Sequence, residues 1–372
     1  MNIRDRSSAL LVGIGLLLAG CDSKLPAITD CVASGDITPI CKFKNPEDIE
    51  VLPDQKSLLI SQMGNMEGTK PGNLVVYDTV SGVISTLFPA STIEPSKAPD
   101  WGDKSCPGIP SDEFAPHGIS LKQRDDGQLQ LAVINHGGRD SVEMFSVQQD
   151  GGHWQLQWRG CVVPEDGTFM NDVALMRNGG FVATHMFDKR APHVMGLSIG
   201  LWKAQFGVKT GYVFEWQPDA GFRILEDSRG PFLNGIEISP DNKIVYANVY
   251  AGHEIRKLDR QTGKVLGAAK VDQADNIAWD SAGQLLAVSH SGPITDQMAC
   301  SKTPGQTCGF EFTIYRINPD DMSSEVVFKH QGAPMGAGTV ARQLGDFLYI
   351  GSFSSDRIVR VPIKNTENNG SY

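Results

Sequence analysis

The sequence predicts an all-β chain: a six-bladed β-propeller with four strands per blade and a short helical insertion at the mouth of its channel. Three observations carry this. Six segments begin alike, with a polar or small residue leading into an alternating apolar strand, at 47–51, 117–121, 171–175, 234–238, 275–279 and 338–342. Each is followed by a second apolar strand, at 58–60, 131–134, 180–183, 244–247, 285–288 and 347–350. Turn-forming residues stand between the two, as in Ser239-Pro240-Asp241-Asn242-Lys243 and Asp280-Ser281-Ala282-Gly283. Irregular repeats of several short strands mark radial repetition, and Asp241 is read as a turn residue.

The repeats continue. Third strands are predicted at 74–77, 142–147, 212–216, 254–258, 312–317 and 357–361. Fourth strands follow in five repeats, for instance 221–225 and 324–328. The sixth repeat runs out at the C-terminus, so part of 28–45 is expected to supply its outer strand and close the ring without an exposed edge. Three stretches interrupt the pattern: a Pro- and Asp-rich loop at 89–116, a Gly/Ser/Thr-rich loop at 291–310, and an apolar, helix-like insertion at 188–207. Rooted near the channel mouth, that insertion is read either as a lid or membrane-facing surface, or as a helix packed on the propeller. Its Gly196-x-x-x-Gly200 spacing is no sign of membrane pairing, because the segment is too short to span.

Composition sets bounds. The chain has 372 residues, is 40% hydrophobic and carries a formal charge of −10. That suits one large all-β domain or two smaller ones. The acidic balance, with no basic stripe, argues against nucleic acid.

The first twenty residues read as a leader. Arg4 and Arg6 precede a short apolar run that ends in Leu18-Ala19-Gly20-Cys21, which resembles the lipobox of bacterial lipoproteins. The expected organisation is a signal peptide over 1–20, a lipid anchor and linker over 21–30 with Cys21 lipidated, a propeller over 31–363 and a flexible tail over 364–372. A lipid-anchored protein in the cell envelope, facing the periplasm, follows. Six cysteines remain, Cys31, Cys41, Cys106, Cys161, Cys300 and Cys308. An even number in an exported chain predicts disulfides, with fifteen possible connectivities. Proximity favours Cys31–Cys41 and Cys300–Cys308, leaving Cys106–Cys161. Without a C-x-x-C pair, a zinc site is disfavoured.

In a propeller, equivalent strand ends converge on one channel. Here they supply two carboxylates, Glu47 and Asp275, and three amides, Asn171, Asn234 and Asn276, with His117 beside them. All-oxygen ligation with several amides suits Ca²⁺ better than Mg²⁺. Asp48 and Asp172 each follow a proposed ligand. By strand alternation they face away from it, towards a second, deeper ion.

At these residues the chain resembles the paraoxonase and arylesterase family of calcium-dependent hydrolases, from about Asn45 to Val361. The resemblance rests on an ordered set: Glu47-Asp48-Ile49-Glu50-Val51-Leu52-Pro53, Ala115-Pro116-His117-Gly118-Ile119-Ser120, Val133-Ile134-Asn135-His136 leading to Ser141-Val142-Glu143-Met144-Phe145, Asn171-Asp172, Asn234-Gly235-Ile236-Glu237-Ile238-Ser239-Pro240-Asp241, and Asp275-Asn276. It implies two calcium ions in the channel. The catalytic one would use Glu47, Asn171, Asn234, Asp275 and Asn276. The structural one would use Asp48, Asp172 and the carbonyl of Ile119. His117 and His136 would form the family's catalytic dyad. His290 matches another active-site histidine, and His185 is a further candidate for the substrate pocket, in a segment shorter than its family counterpart. The family's disulfide reaches its last strand where this chain has Arg360, so Cys41 needs another partner.

The function expected is calcium-dependent hydrolysis of lactones or aryl esters, with a small-molecule substrate and a membrane contact through Cys21. The alternatives are a sugar-lactone hydrolase of the wider propeller group and a non-catalytic, calcium-stabilised binding propeller.

Overall fold

The computed structural model describes residues 25–89, 100–301 and 307–363. The leader, Cys21 and the tail over 364–372 lie outside those residues. Six sheets radiate from one channel, and each runs outward in sequence order from an inner strand, except that the outermost strands of the second and sixth sheets come from earlier in the chain. The inner strands are Pro46–Val51, Pro116–Gln123, Met170–Leu175, Leu233–Ile238, Ala274–Trp279 and Gly338–Leu344, and they define blades 1 to 6 in that order. Blade 2 carries a fifth strand, Trp101–Gly102, parallel to the outer strand His153–Val162. It comes from the segment expected to be loop.

Strands such as Ser57–Gln62 and Met170–Leu175 are buried at every position, so these sheets have two faces to cover. The blades cover one another. One cluster sets Leu59 and Phe88 of blade 1 against Leu131 and Phe145 of blade 2. The equivalent clusters continue round the ring between successive blades. A last one packs Ile49 and Ile60 of blade 1 on Val340 and Tyr349 of blade 6. Closure is by the N-terminal segment. Thr38–Cys41 pairs antiparallel with Arg357–Pro362 as the outer strand of blade 6, with Cys41 opposite Arg357. Sharing one sheet between the two chain ends pairs the edge that Arg357–Pro362 would otherwise present.

One irregularity recurs and matters. The pairing of every inner strand with its neighbour slips near its start: between Pro46 and Asp48, Pro116 and Ile119, Met170 and Val173, Leu233 and Ile236, Ala274 and Ile277, and Gly338 and Ala341. A bulge inserts an unpaired residue and re-aims the side chains beside it. Simple alternation therefore fails at the strand starts, where the polar residues cluster.

The three disulfides are Cys31–Cys41, Cys106–Cys161 and Cys300–Cys308. The insertion at 188–207 is less helical than expected. It holds a hairpin, His193–Val194 with Leu197–Ser198, and then the short helix α1, Ile199–Gln205, capped by the Ser198 hydroxyl, which accepts from the Gly200 N–H. The 291–310 stretch is not all loop: it carries helix α2, Ile294–Ser301. Asp241 is a turn residue, accepting from the Ser239 hydroxyl and the Lys243 N–H.

Candidate active site

The strand starts meet at the head of the channel. Asn276 donates its amide to Glu47 Oε1 at 2.9 Å, joining blade 5 to blade 1. Asn171 and Asn234 stand on the intervening ring, and Asp275 lies beside Asn234. All five expected upper ligands are buried. Among the described residues, Glu47 Oε2 and the carbonyl oxygens of Asn171, Asn234 and Asn276 have no hydrogen-bond partner. Buried acceptors are ordinarily paired, and each one left unpaired costs about 1–3 kcal/mol. Four such oxygens at equivalent strand starts form an electron-rich cage. Burial, then the neighbouring charges of Asp48, Asp275 and Asp172, raises the Glu47 carboxyl far above the usual carboxylate range. Burial pushes Asp275 up to about 8. A hard cation among them would remove both penalties, so this donor set fits the expected ion. Among the described residues no three carboxylate, imidazole or thiol groups gather as a metal cluster; amides make up the remainder of this set.

Asp48 and Asp172 lie deeper and tie blades together. Asp48 accepts the N–H of Ile49 at 2.8 Å and that of Ile119 in blade 2 at 2.7 Å. Asp172 accepts those of Val173 at 2.7 Å and Ile236 in blade 4 at 2.9 Å. Each oxygen thus takes one N–H and keeps a second lone pair. Further down, Arg342 of blade 6 meets Glu50 at 2.9 Å and donates to the Ile49 carbonyl at 2.6 Å.

His117 sits beside the cage. Its Nε2 is 3.7 Å from Glu47 Oε1, and its Nδ1 is 3.1 Å from Nε2 of His136. Burial, then the neighbouring His136, holds the His117 imidazole well below its ordinary pKa. Burial thus favours the neutral ring, the form in which an imidazole can act as a base. Burial likewise lowers His136.

Above the cage opens a cavity of about 280 Å³. Glu47, His117, Asn234 and Asp275 contribute to its polar floor. Its walls include Phe169, Phe187, Phe232 and Phe353, with Asn65, Glu67 and Lys70 adding a polar, charged stretch. Leu197 and Leu201 come from the insertion, while Gln297 and Met298 come from α2. Of the two readings of the insertion, the packed one describes its inner face: Leu201 and Ala204 pack with Phe187 and Phe232. Val194, Met195, Phe206 and Val208 on the same segment are exposed.

Neither His185 nor His290 lines this cavity. His185 packs at a tilt on Tyr212, with ring centroids 4.6 Å apart, and accepts the Phe169 N–H at 3.0 Å. His290 bridges the Tyr250 hydroxyl at 3.0 Å and the Gly338 carbonyl at 2.8 Å, with Asp275 at 3.4 Å. Both hold the wall or the floor from behind. Sequence reasoning missed the aromatic cup, α2 and Arg342. It also missed Asp140, whose Oδ1 is 2.9 Å from His136 Nδ1, and Lys189, which reaches Asp140 at 2.8 Å. The i,i+4 spacing of His136 and Asp140 was the one available signal, and in a loop that spacing has no fixed geometry.

Residues 44–357 match the sequence profile of the arylesterase family. The chain is 26% identical to serum paraoxonase/arylesterase 1 of Rattus norvegicus, over 82% of each chain. It is 25% identical to serum paraoxonase/lactonase 3 of Homo sapiens, over 77% of this chain and 79% of that one. Among solved structures, a gluconolactonase from Xanthomonas campestris superposes with a TM-score of 0.51 at 16% identity, covering 92% of this chain and 96% of the other. At that identity the likeness speaks for the propeller alone.

Proposed function

The chain belongs to the arylesterase family and hydrolyses carboxylic esters or lactones, and we propose that it does so with calcium at the channel head and His117 as the base. The observation that carries this is the joint presence, at the floor of one phenylalanine-walled cavity, of the His117 imidazole and of Glu47 and Asn234, two of the residues that carry the unpartnered oxygens. Glu47, Asn171, Asn234, Asp275 and Asn276 would hold the ion. Asp48, Asp172 and the Ile119 carbonyl would hold a second, structural one. Bound calcium supplies Lewis-acid polarisation of the substrate carbonyl and neutralises the charge that develops on its oxygen.

The chain's own residues do the rest. His117 takes the proton of the attacking water at Nε2, the nitrogen on the Glu47 side, while Nδ1 is held by His136. The phenylalanine walls exclude bulk water and bind the apolar part of the substrate. They favour an aryl group or an alkyl-substituted lactone over a polyhydroxylated sugar lactone, and the acid–base machinery distinguishes the site from a binding propeller. We also propose that Cys21 is lipidated and holds the propeller at the periplasmic face of the envelope. Cys21→Ser should then release it from the membrane fraction, and retention there would refute this.

The test is a screen of lactones and aryl esters on wild type, with and without chelator, and on His117→Gln. Loss of a general base should slow hydrolysis by roughly 10²- to 10⁴-fold, with calcium binding kept. A rate within a few-fold of wild type would place the base elsewhere, on Glu47 or Asp275.

A further inference from the structure

The histidine pair does not end at His136. His136 Nδ1 lies 2.9 Å from Asp140 Oδ1, and both oxygens of Asp140 accept from Lys189 Nζ at 2.8 Å. Lys189 belongs to the segment that leads into the cavity wall, 49 residues from Asp140, and its ammonium also lies 5.2 Å from the centroid of the Phe169 ring. Phe169 in turn packs against His136 at 5.0 Å. His136 is 4% exposed, whereas the Asp140 carboxylate is a quarter exposed, so the chain of contacts runs from the buried floor to the rim.

An ionised carboxylate accepts hydrogen bonds and donates none. Asp140, gripped by an ammonium, therefore requires a proton on His136 Nδ1. A neutral ring with its proton there has a lone pair on Nε2. That lone pair faces His117 Nδ1 at 3.1 Å, which must then carry the proton of its own ring. What remains is a lone pair on His117 Nε2, the nitrogen on the side of Glu47 and the cavity. One acceptor at the rim thus orders two imidazoles in series.

We propose that Asp140, clamped by Lys189, is a positioning residue that sets the tautomers of His136 and His117 and so presents the unprotonated Nε2 of His117 to the substrate. The proposal rests on the hydrolytic reading above, and it adds two residues to it. When His117 takes a proton, the fixed negative charge of Asp140 stabilises the cationic pair from two rings away, and Asp140 itself stays ionised. Lys189 lies within the 188–207 insertion, so the segment that supplies Leu197 and Leu201 to the cavity wall also holds Asp140.

The experiment is ¹⁵N NMR of histidine-labelled, calcium-loaded protein, together with steady-state kinetics on the best ester or lactone. Wild type should show both His136 and His117 protonated at Nδ1. Asp140→Asn can turn its NH₂ towards His136 Nδ1, which reverses both tautomers. Its kcat should fall by roughly 10²- to 10⁴-fold, as for loss of an orienting carboxylate, with KM and calcium affinity little changed. Lys189→Met should lower kcat a few-fold in the same direction, with an unchanged melting curve, and it serves where Asp140→Asn folds poorly. Unchanged tautomers in Asp140→Asn, or an unchanged kcat in both variants, would overturn the proposal. The NMR readout needs no substrate, so a wild type that hydrolyses nothing would sink the hydrolytic reading while leaving the tautomer assignment to be judged on its own.

Discussion

Asn276 and Glu47 are 229 residues apart in the chain, yet the Asn276 amide donates to Glu47 Oε1 at 2.9 Å, while Asn276 Oδ1 and Glu47 Oε2 have no hydrogen-bond partner among the described residues. One pair of groups thus fastens blade 5 to blade 1 and turns two bare oxygens to a common purpose.

The first prediction concerns that cage. A cation that binds only the folded chain stabilises it by mass action. Chelation should lower the melting temperature, and calcium should restore it. Glu47→Gln removes a charge and a ligand, and its calcium affinity, read by isothermal titration, should fall at least 10- to 100-fold, the scale set by changes near metal sites. Identical melting with and without chelator would remove the ion from the account.

A second prediction separates depth in the channel. Asp172→Ala leaves the buried N–H of Ile236 without its acceptor, a loss of about 1–3 kcal/mol. Its denaturation midpoint should drop, while turnover at low temperature changes less. Asn234→Ala should do the reverse, because Asn234 lines the cavity floor. A midpoint shift larger in Asn234→Ala than in Asp172→Ala would contradict this division.

The cavity wall makes the third. A Cβ on Gly200 would come within 2.8 Å of Phe187. Gly200→Val should therefore lift α1 from the cup and raise KM for apolar esters several-fold. Overpacking of this kind costs about 1–3 kcal/mol locally. Unaltered KM across a series of acyl lengths would show that the helix plays no part in binding.

The fourth uses pH. Burial lowers the His185 pKa from 6.5 to about 4, and its Nδ1 accepts the Phe169 N–H. The folded state holds the neutral ring, so this contribution is complete above pH 6.5 and is lost as pH falls through 6.5 towards 4. The full difference is about 3 kcal/mol. His185→Gln cannot titrate, so its stability should change less than that of wild type across this window, read from urea midpoints. Parallel curves would show that His185 does not couple folding to protons.

The blade count, the channel and the polar residues at the strand starts follow from the amino-acid sequence by itself. Apolar alternation and polar strand starts are local patterns that repeat six times, and six similar sheets can cover their apolar faces only by closing into a ring. The tertiary structure alone decided the rest. The bulges re-aim Glu47, Asp48, Asn171 and Asp172, because pairing register depends on the neighbouring strand. Phe169, Phe187, Phe232 and Phe353 form one cup, because four loops converge over the channel. Asp140 completes the dyad only where Lys189 arrives from blade 3 to hold it. Sequence spacing cannot encode such a meeting, since contacts between loops are set by the packing of the blades that carry them.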